Sequence, residues 1–425
     1  MIANFSTMVS GLDNATRGLQ VTSQNLTNVN TEGYTRRRIE LVDSFYSNIG
    51  DSGSGKMQVG SGVTIRELCQ IRNTLLDQSY RNENSKLSYY DTEYDVLHEI
   101  ETLLIDSTDF SETLDSLYGS ISVLSQNPES VSARAEFLTS AENFVYEAQY
   151  ISEQLSDIQL TMNEKIIEQV NKANELLDEI QYYNDKIVEL ELEEDEASDL
   201  RDQRNVCLDE LSKIMPITVT EQKYGNVQVY ADGRDLFGVG THETISLRAT
   251  VGADGFYTPY WTKAGDDVVN MDRALIEDAN YQDGGTLKAL LMARGNVYAD
   301  YSTDPRKTEL YTIPSIKKNF DTLVHSIVKN INETFAPESH TSGAYSGDGS
   351  QYIEVFSRKD MDRYRIENGD YIFNDEDPTN FESLYTTENL VINSVLLNDN
   401  NFSKICYSPS GDVGDNTYLE KILAN

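Results

Sequence analysis

Eleven apolar positions, Leu155, Ile158, Met162, Ile166, Val170, Ala173, Leu177, Ile180, Tyr183, Ile187 and Leu190, follow one another in ten steps across 35 residues. The period is 3.5, the coiled-coil value, so this stretch is a long helix whose narrow apolar seam has to be covered by another helix. Proline permits such lengths. Pro128 is followed by Pro216, Pro259, Pro305, Pro314, Pro337, Pro378 and Pro409, which leaves residues 1–127 and 129–215 free of the residue that breaks helix interiors. A second seam opens the chain: Met8, Leu12, Ala15, Leu19, Thr22, Leu26 and Val29 alternate steps of four and three. It needs a partner helix from this chain or from a neighbouring one, and the closing segment offers only Tyr418, Leu419, Ile422 and Leu423, too few to cover seven positions.

Around these seams the chain reads as mainly α with inserted β elements, an elongated multi-domain protein with long coiled-coil-like helices. Residues 1–66 form an amino-terminal inner assembly segment, a helix followed by an extended loop. The turn Asn28-Val29-Asn30-Thr31-Glu32-Gly33-Tyr34 stops the helix, and five glycines between 50 and 62 make a flexible excursion. Residues 67–215 are a long helical domain. In it, Leu75, Leu76, Tyr80, Leu87, Tyr90, Tyr94, Leu97 and Leu104 mark one helix, residues 131–150 a second, and the 3.5-period seam a third. Six acids in eight residues, Glu189 to Glu196, place a turn there. Ser198 is expected to cap a shorter return helix that Pro216 ends, which makes a helical hairpin with its acidic tip outward. Residues 216–283 switch to short alternating runs with Gly-containing turns and are a small β element. Residues 284–337 return as helices, 338–388 form an outer β-rich insertion, and 389–425 are a return segment with short strands.

Composition narrows the function. Acidic residues outnumber basic ones 71 to 34, for a formal net charge of −37, which disfavours nucleic acid and anionic membrane surfaces as partners. The excess lies entirely beyond residue 45. The first 45 residues balance Arg17, Arg36, Arg37 and Arg38 against Asp13, Glu32, Glu40 and Asp43, so this segment can pack on copies of itself without repulsion. Arg36-Arg37-Arg38 either contacts acidic faces of neighbouring subunits or stays solvated. Cys69, Cys207 and Cys406 share no metal-like spacing and read as free thiols. A Sec-type signal and a run of 18 apolar residues are both missing from the sequence, so export, if it occurs, uses another route.

Chemistry finds little purchase. The four histidines, His98, His242, His325 and His340, lie far apart outside any HExxH pair, and no phosphate-binding glycine motif or GxSxG elbow occurs. The acids Asp375, Glu376 and Asp377 lack the spacing of a calcium loop. No catalytic residue, cofactor or metal ligand is assigned, and the chain does not read as an enzyme.

Three motifs in order carry a resemblance. Ser10-Gly11-Leu12 with Asn25-Leu26-Thr27-Asn28-Val29-Asn30-Thr31-Glu32-Gly33-Tyr34-Thr35-Arg36 resembles the amino-terminal motif of flagellar rod, hook and hook-associated proteins. Asp199-Leu200-Arg201-Asp202-Gln203-Arg204 through Leu208-Asp209-Glu210-Leu211-Ser212 is similar to the hook-associated protein 1 (FlgK) family in particular, and Gly285 to Leu291 with Asn330-Ile331-Asn332 adds a third match. The resemblance implies a structural subunit of the bacterial flagellum at the hook-filament junction, secreted through the flagellar export channel and placed outside the cell. The implied partners are copies of itself in a ring, the hook protein and the second hook-associated protein. It also implies an inner coiled coil of the amino-terminal helix with a carboxy-terminal one. The sequence after Asp412 carries no comparable heptad, so either the chain is shortened relative to its relatives or its first helix pairs differently, and binding of an export chaperone is in doubt. The residues expected at the assembly interface are Leu12, Leu19 and Leu26 on the seam and Asn28, Asn30, Gly33 and Tyr34 in the turn. The alternatives are another flagellar axial protein (hook, rod or second hook-associated protein) and, remotely, a secreted enzyme on a flagellin-like scaffold.

Overall fold

The computed structural model describes residues 2–44, 46–49, 57–60, 62–106, 108–192, 197–238, 240–271, 284–338, 350–368 and 370–424. The chain is mainly helical with small antiparallel β elements set between the helices. Helix α1 (Ile2–Thr27) leads into β1 (Arg37–Asp43), β2 (Tyr46–Ile49), β3 (Met57–Gly60) and β4 (Val63–Gln70), in which β1 pairs β4 and β2 pairs β3, both antiparallel. The sequence reading had a loop here. Glycines and serines masked the alternation of the short flanking strands, and residues 50–56 at the centre of the expected excursion lie outside the described residues.

Next come α2 (Thr74–Asp106), α3 (Thr108–Gln126), α4 (Val131–Glu191) and α5 (Ser198–Ile214). The helix read at 131–150 and the 3.5-period seam are one helix of 61 residues, because no proline or glycine interrupts 131–191. Its seam is buried from Leu155 to Ile180 and again at Ile187, but near the end the pattern slips by one residue. Asn184 takes the buried seat, Tyr183 is half-buried and Leu190 is exposed, the drift expected of a 3.6-residue helix against a strict 3.5 repeat. Helix α3, rich in Ser, Thr and Asp, was missed at the sequence level; its Leu117, Ile121 and Leu124 are fully buried.

The β element follows as β5 (Thr218–Glu221), β6 (Val227–Ala231), β7 (Arg234–Asp235), β8 (Phe237–Gly238), β9 (Thr241–His242), β10 (Ile245–Ala249) and β11 (Tyr257–Trp261). The strands form a three-stranded sheet in the order β5-β6-β7 and two hairpins, β8-β9 and β10-β11. Asp232-Gly233, both with positive φ, makes the tight turn between β6 and β7. The remainder is α6 (Thr286–Arg294), α7 (Thr312–Phe335), β12 (Phe356–Arg358), β13 (Tyr364–Glu367), β14 (Asp370–Phe373), β15 (Leu390–Ile392), α8 (Ser394–Leu397) and α9 (Thr417–Ala424). Among the described residues no helix is long and apolar enough to cross a membrane.

The chain divides into two compact units. The first comprises residues 1–91, 167–248 and 258–289, and the second 92–166, 249–257 and 290–425. In the first, α5 runs back antiparallel along the end of α4. Lys172 pairs with Glu210 at 3.2 Å, Asn184 accepts from Arg204 at 2.9 Å and Glu191 accepts from Arg201 at 2.6 Å, which is the expected helical hairpin. Its tip, residues 193–196, lies outside the described residues. Ser198 does not cap α5: Ala197 occupies the cap position without a side-chain bond, and Ser198 is the first helical residue. In the second unit, α3, α4 and α7 enclose a core around Leu117, Phe137, Phe144, Val328 and Phe335, closed by Phe356 and Tyr407. Helix α9 belongs to this core through Leu419 and Ile422, both fully buried, so the short closing stripe is consumed there.

Phe137 is fully buried and stacks on Phe335 at 5.8 Å, whereas Tyr146 on the same helix is 70% exposed. In urea titrations Phe137→Ala is expected to lower the stability of the second unit by about 3–5 kcal/mol. Tyr146→Ala should change it by less than about 0.5 kcal/mol. Equal losses would contradict the packing described.

Candidate functional site

The amino-terminal segment is built around side-chain amides. Along α1, Asn14, Gly18, Val21 and Asn25 recur at steps of four and three on one face and are half-buried against the β1-β4 hairpin. Asn14 donates from Nδ2 to the Val63 carbonyl at 2.5 Å, and Asn25 donates to the Arg37 carbonyl at 2.9 Å. The Asn25 Oδ1 accepts both the Arg37 amide and the Tyr34 hydroxyl, each at 2.9 Å. Gly62, at φ +121°, lets the hairpin approach α1 so closely that a Cβ there would sit 2.2 Å from the Ser10 Oγ.

The polar face of α1 is thus the one turned to its own chain. The heptad seam points away: Leu12, Leu19 and Leu26 are 72%, 70% and 72% exposed, and Met8 and Val29 are equally open. The structure places the predicted turn residues beside them. Asn28 donates to the Gln24 carbonyl and accepts from Thr31, Asn30 is exposed, Tyr34 closes onto Asn25, and Gly33 packs on α5. At φ +77°, Gly33 sits where a Cβ would be 2.2 Å from the Val206 Cγ2.

Arg37 fastens this segment to α5. The three consecutive arginines were read as solvated or as contacts to neighbours. Arg36 and Arg38 are indeed exposed, but Arg37 on the opposite face of the strand is buried and pairs within the chain. Its Nη2 donates to Asp199 at 2.5 Å and to Asp202 at 3.2 Å. The two carboxylates are three residues apart and share a helix face. Desolvation works against the Arg37 charge, yet the bonds to Asp199 and Asp202 outweigh it and hold the guanidinium above its ordinary pKa. Gln70 at the end of β4 completes the joint, donating to the Ser198 carbonyl and to Asp202, both at 2.9 Å.

The arginines of the same stretch serve the hairpin. Arg201 binds Glu191 through two bonds and Glu221 through a third; the Glu191 bond leads the causes that raise its pKa, against the cost of burial. Arg204 donates from Nη1 to the Asn184 Oδ1 and the Gly225 carbonyl, with desolvation and then Arg201 pushing its pKa down to about 10. An open cavity of about 690 Å³ collects Arg66, Arg72, Arg81, Arg201 and Arg204, and Glu67, Asp77, Glu191 and Glu221 on its wall largely balance them. The strand register sets Glu40 opposite Glu67 beside Cys69, with donor atoms within 4.8 Å of one another. Those three groups fall short of the four that a closed zinc site uses. Asn25, Arg37, Gln70, Asp199, Asp202 and Val206 escaped sequence reasoning as interface-forming residues; the i, i+3 acids beside an arginine-bearing strand were the available signal.

The chain matches the flagellar hook-associated protein FlgK helical domain over residues 97–348, more than half its length. It belongs to the FlgK family. Flagellar hook-associated protein 1 of Bacillus subtilis is 26% identical over 80% of this chain and 69% of its own length. That of Salmonella typhimurium is 30% identical over 51% of the chain and 39% of its own length. Among solved structures, the flagellar hook junction protein FlgK from Burkholderia pseudomallei shares the fold with a TM-score of 0.50 at 16% identity, over 67% of this chain and 47% of that one.

Two outcomes test this geometry. Gly33→Ala adds both a left-handed alanine and a clash with Val206, and should destabilise the first unit by about 1–3 kcal/mol in thermal unfolding. Adding Val206→Ala should recover only part of the loss. Separately, the Cys207 thiol donates to the Glu179 carboxylate at 3.1 Å, and burial, then Glu179, pushes its pKa up to about 12 from an ordinary 9.0. The folded state binds this proton more tightly than the unfolded state, so the contribution is complete below pH 9 and is lost as pH rises toward 12. Denaturant midpoints of the wild type should therefore fall relative to those of Cys207→Ala between pH 9 and 11; parallel pH profiles would refute the assignment.

Proposed function

We propose that this chain is a structural, non-catalytic subunit at the flagellar hook-filament junction. On this reading it leaves the cell through the flagellar export channel and assembles with copies of itself into a ring between the hook protein and the second hook-associated protein. The observation that carries the reading is the direction of the α1 seam. A helix that turns its amides to its own chain and three leucines of a heptad outward gains little from folding alone, and burial of that seam drives association. The balanced charge of the first 45 residues removes the repulsion that a net charge of −37 would otherwise impose on packed copies. The relatives are named as a flagellar hook-associated protein and a flagellar hook junction protein. The proposed assembly surface is Leu12, Leu19 and Leu26 with the adjoining turn Asn28, Asn30, Gly33 and Tyr34.

Leu19→Asp puts a charge in the middle of the seam at a site that is 70% exposed in the chain itself. The melting curve of the purified variant should match that of the wild type, while cells carrying it should lose the protein from their flagella and stop spreading in soft agar. Unchanged spreading and unchanged incorporation would overturn the role of the seam.

A further inference from the structure

The arginine-lined cavity of about 690 Å³ lies wholly within the first compact unit, where the end of β4, the first turns of α2, the helix α5 and the strands β5 and β6 meet. Its charge balance is uneven. Asp77 is held by Arg72 at 2.5 Å, and Glu191 and Glu221 are both held by Arg201, so three of the four wall carboxylates are engaged by two of the five arginines. The fourth, Glu67, is exposed.

Two of the other arginines are buried. Arg81, 4% exposed, donates from Nε to Asp209, which is not part of the wall, and from Nη2 to Asn205. Arg204, 2% exposed, pairs with no carboxylate among the described residues and gives its Nη1 to the Asn184 Oδ1 and the Gly225 carbonyl. That leaves the Arg81 Nη1 and the Arg204 Nη2 without a hydrogen bond among the described residues, and, unlike the Arg204 Nε, neither is sealed from solvent. Both side chains line the cavity, so these N–H groups open into it.

Burial, followed by the charges of Arg201 and Arg81, weighs against the Arg204 cation and brings its pKa down to about 10. An oxyanion relieves such crowding, because hydrogen bonds between ionised partners are roughly twice as strong as neutral ones. Arg81 reaches in from α2 and Arg204 from α5, so the open donors converge from different elements. A planar carboxylate matches a single guanidinium fork, whereas a tetrahedral phosphate accepts from several directions at once. The volume falls in the range of about 300–1,000 Å³ usual for small-molecule sites.

We propose that this cavity binds a phosphate group, either inorganic phosphate or that of a small monoester, between Arg81 and Arg204, with the more exposed Arg66 and Arg72 as further donors. The ligand ties α2 to α5 within one chain and so adds to the stability of the first unit. The site stands apart from the assembly surface on α1.

Thr74 supplies the test. It stands on the cavity wall, is exposed and opens α2, where a carboxylate favours the helix. Thr74→Glu therefore sets a negative charge against the ligand without cost to the fold, and Thr74→Gln is its neutral match. The full chain is titrated calorimetrically with inorganic phosphate and, separately, with glycerol 3-phosphate, at an ionic strength held constant with sodium chloride. Thr74→Gln should bind within about threefold of the wild type. Thr74→Glu should bind at least about tenfold more weakly. Arg66→Gln, at an exposed position whose only ion pair is at 4.0 Å, is a second variant and should weaken binding by about threefold. The melting midpoint of the wild type should climb with phosphate concentration, and that of Thr74→Glu should stay level over the same range. Tighter binding of glycerol 3-phosphate would assign the site to a phosphorylated small molecule, and equal or weaker binding to inorganic phosphate. No saturable binding of either ligand by the wild type, or equal binding by the wild type and Thr74→Glu, would overturn the site while leaving the proposed function standing.

Discussion

One buried guanidinium joins the amino-terminal segment to the helical hairpin. Arg37 reaches from β1 to two carboxylates a turn apart on α5, and Gln70 from β4 returns to one of them, so both strands of the β1-β4 hairpin are seated on the same helix end. A buried charge of this kind costs several kcal/mol to desolvate, and here the two carboxylates on Nη2 offset it although the Arg37 Nε is buried without a hydrogen-bond partner among the described residues. Its orientation then dictates much else. With Arg37 turned inward, strand alternation forces Arg36 and Arg38 outward, and the Arg37 main chain presents both its amide and its carbonyl to Asn25.

The stretch from Asp199 to Arg204 concentrates two jobs in six residues. Its acids face the hairpin of strands and its arginines face the end of α4 and the start of the β element, each pair three residues apart. This accounts physically for a motif that in the sequence was only a family signature. The arginine-lined cavity beside it is a consequence of that division, with acids on the same walls supplying most of the balancing charge.

How much was legible depended on whether the signal was local. The long seam of α4, the return helix and the helices after residue 284 followed from apolar period and proline placement, properties a sequence displays directly. Strands β1 and β4 did not: they pair residues 20 to 33 apart, and β1, with Arg37-Arg38 and Leu41-Val42 adjacent, breaks the alternation of charged and apolar residues on a surface that is mostly exposed. The slip from Tyr183 to Asn184 was also invisible, since a buried asparagine is justified only by Arg204 and Val227, which fold back onto it. For the candidate site, the apolar residues of α1 were readable, but the direction they face was not. Periodicity says that two faces differ; only the amide bonds to Val63 and Arg37 say which one is turned in.

The attachment of α1 through amides has a consequence for its dynamics. A hydrogen bond exchanged for one with water contributes about 0.5–1.5 kcal/mol net, and from Thr7 onward the half-buried face of α1 carries only Val21 among larger apolar side chains. From Thr7 onward the helix is therefore held by about a few kcal/mol, far less than the apolar seam of α4 supplies to its own surroundings. Local opening free energies should differ accordingly, with backbone amides of α1 exchanging with solvent through cheap excursions while those in the middle of α4 exchange only when a whole unit opens. A segment with that ranking can leave its hairpin and re-seat against something else without unfolding the rest of the chain.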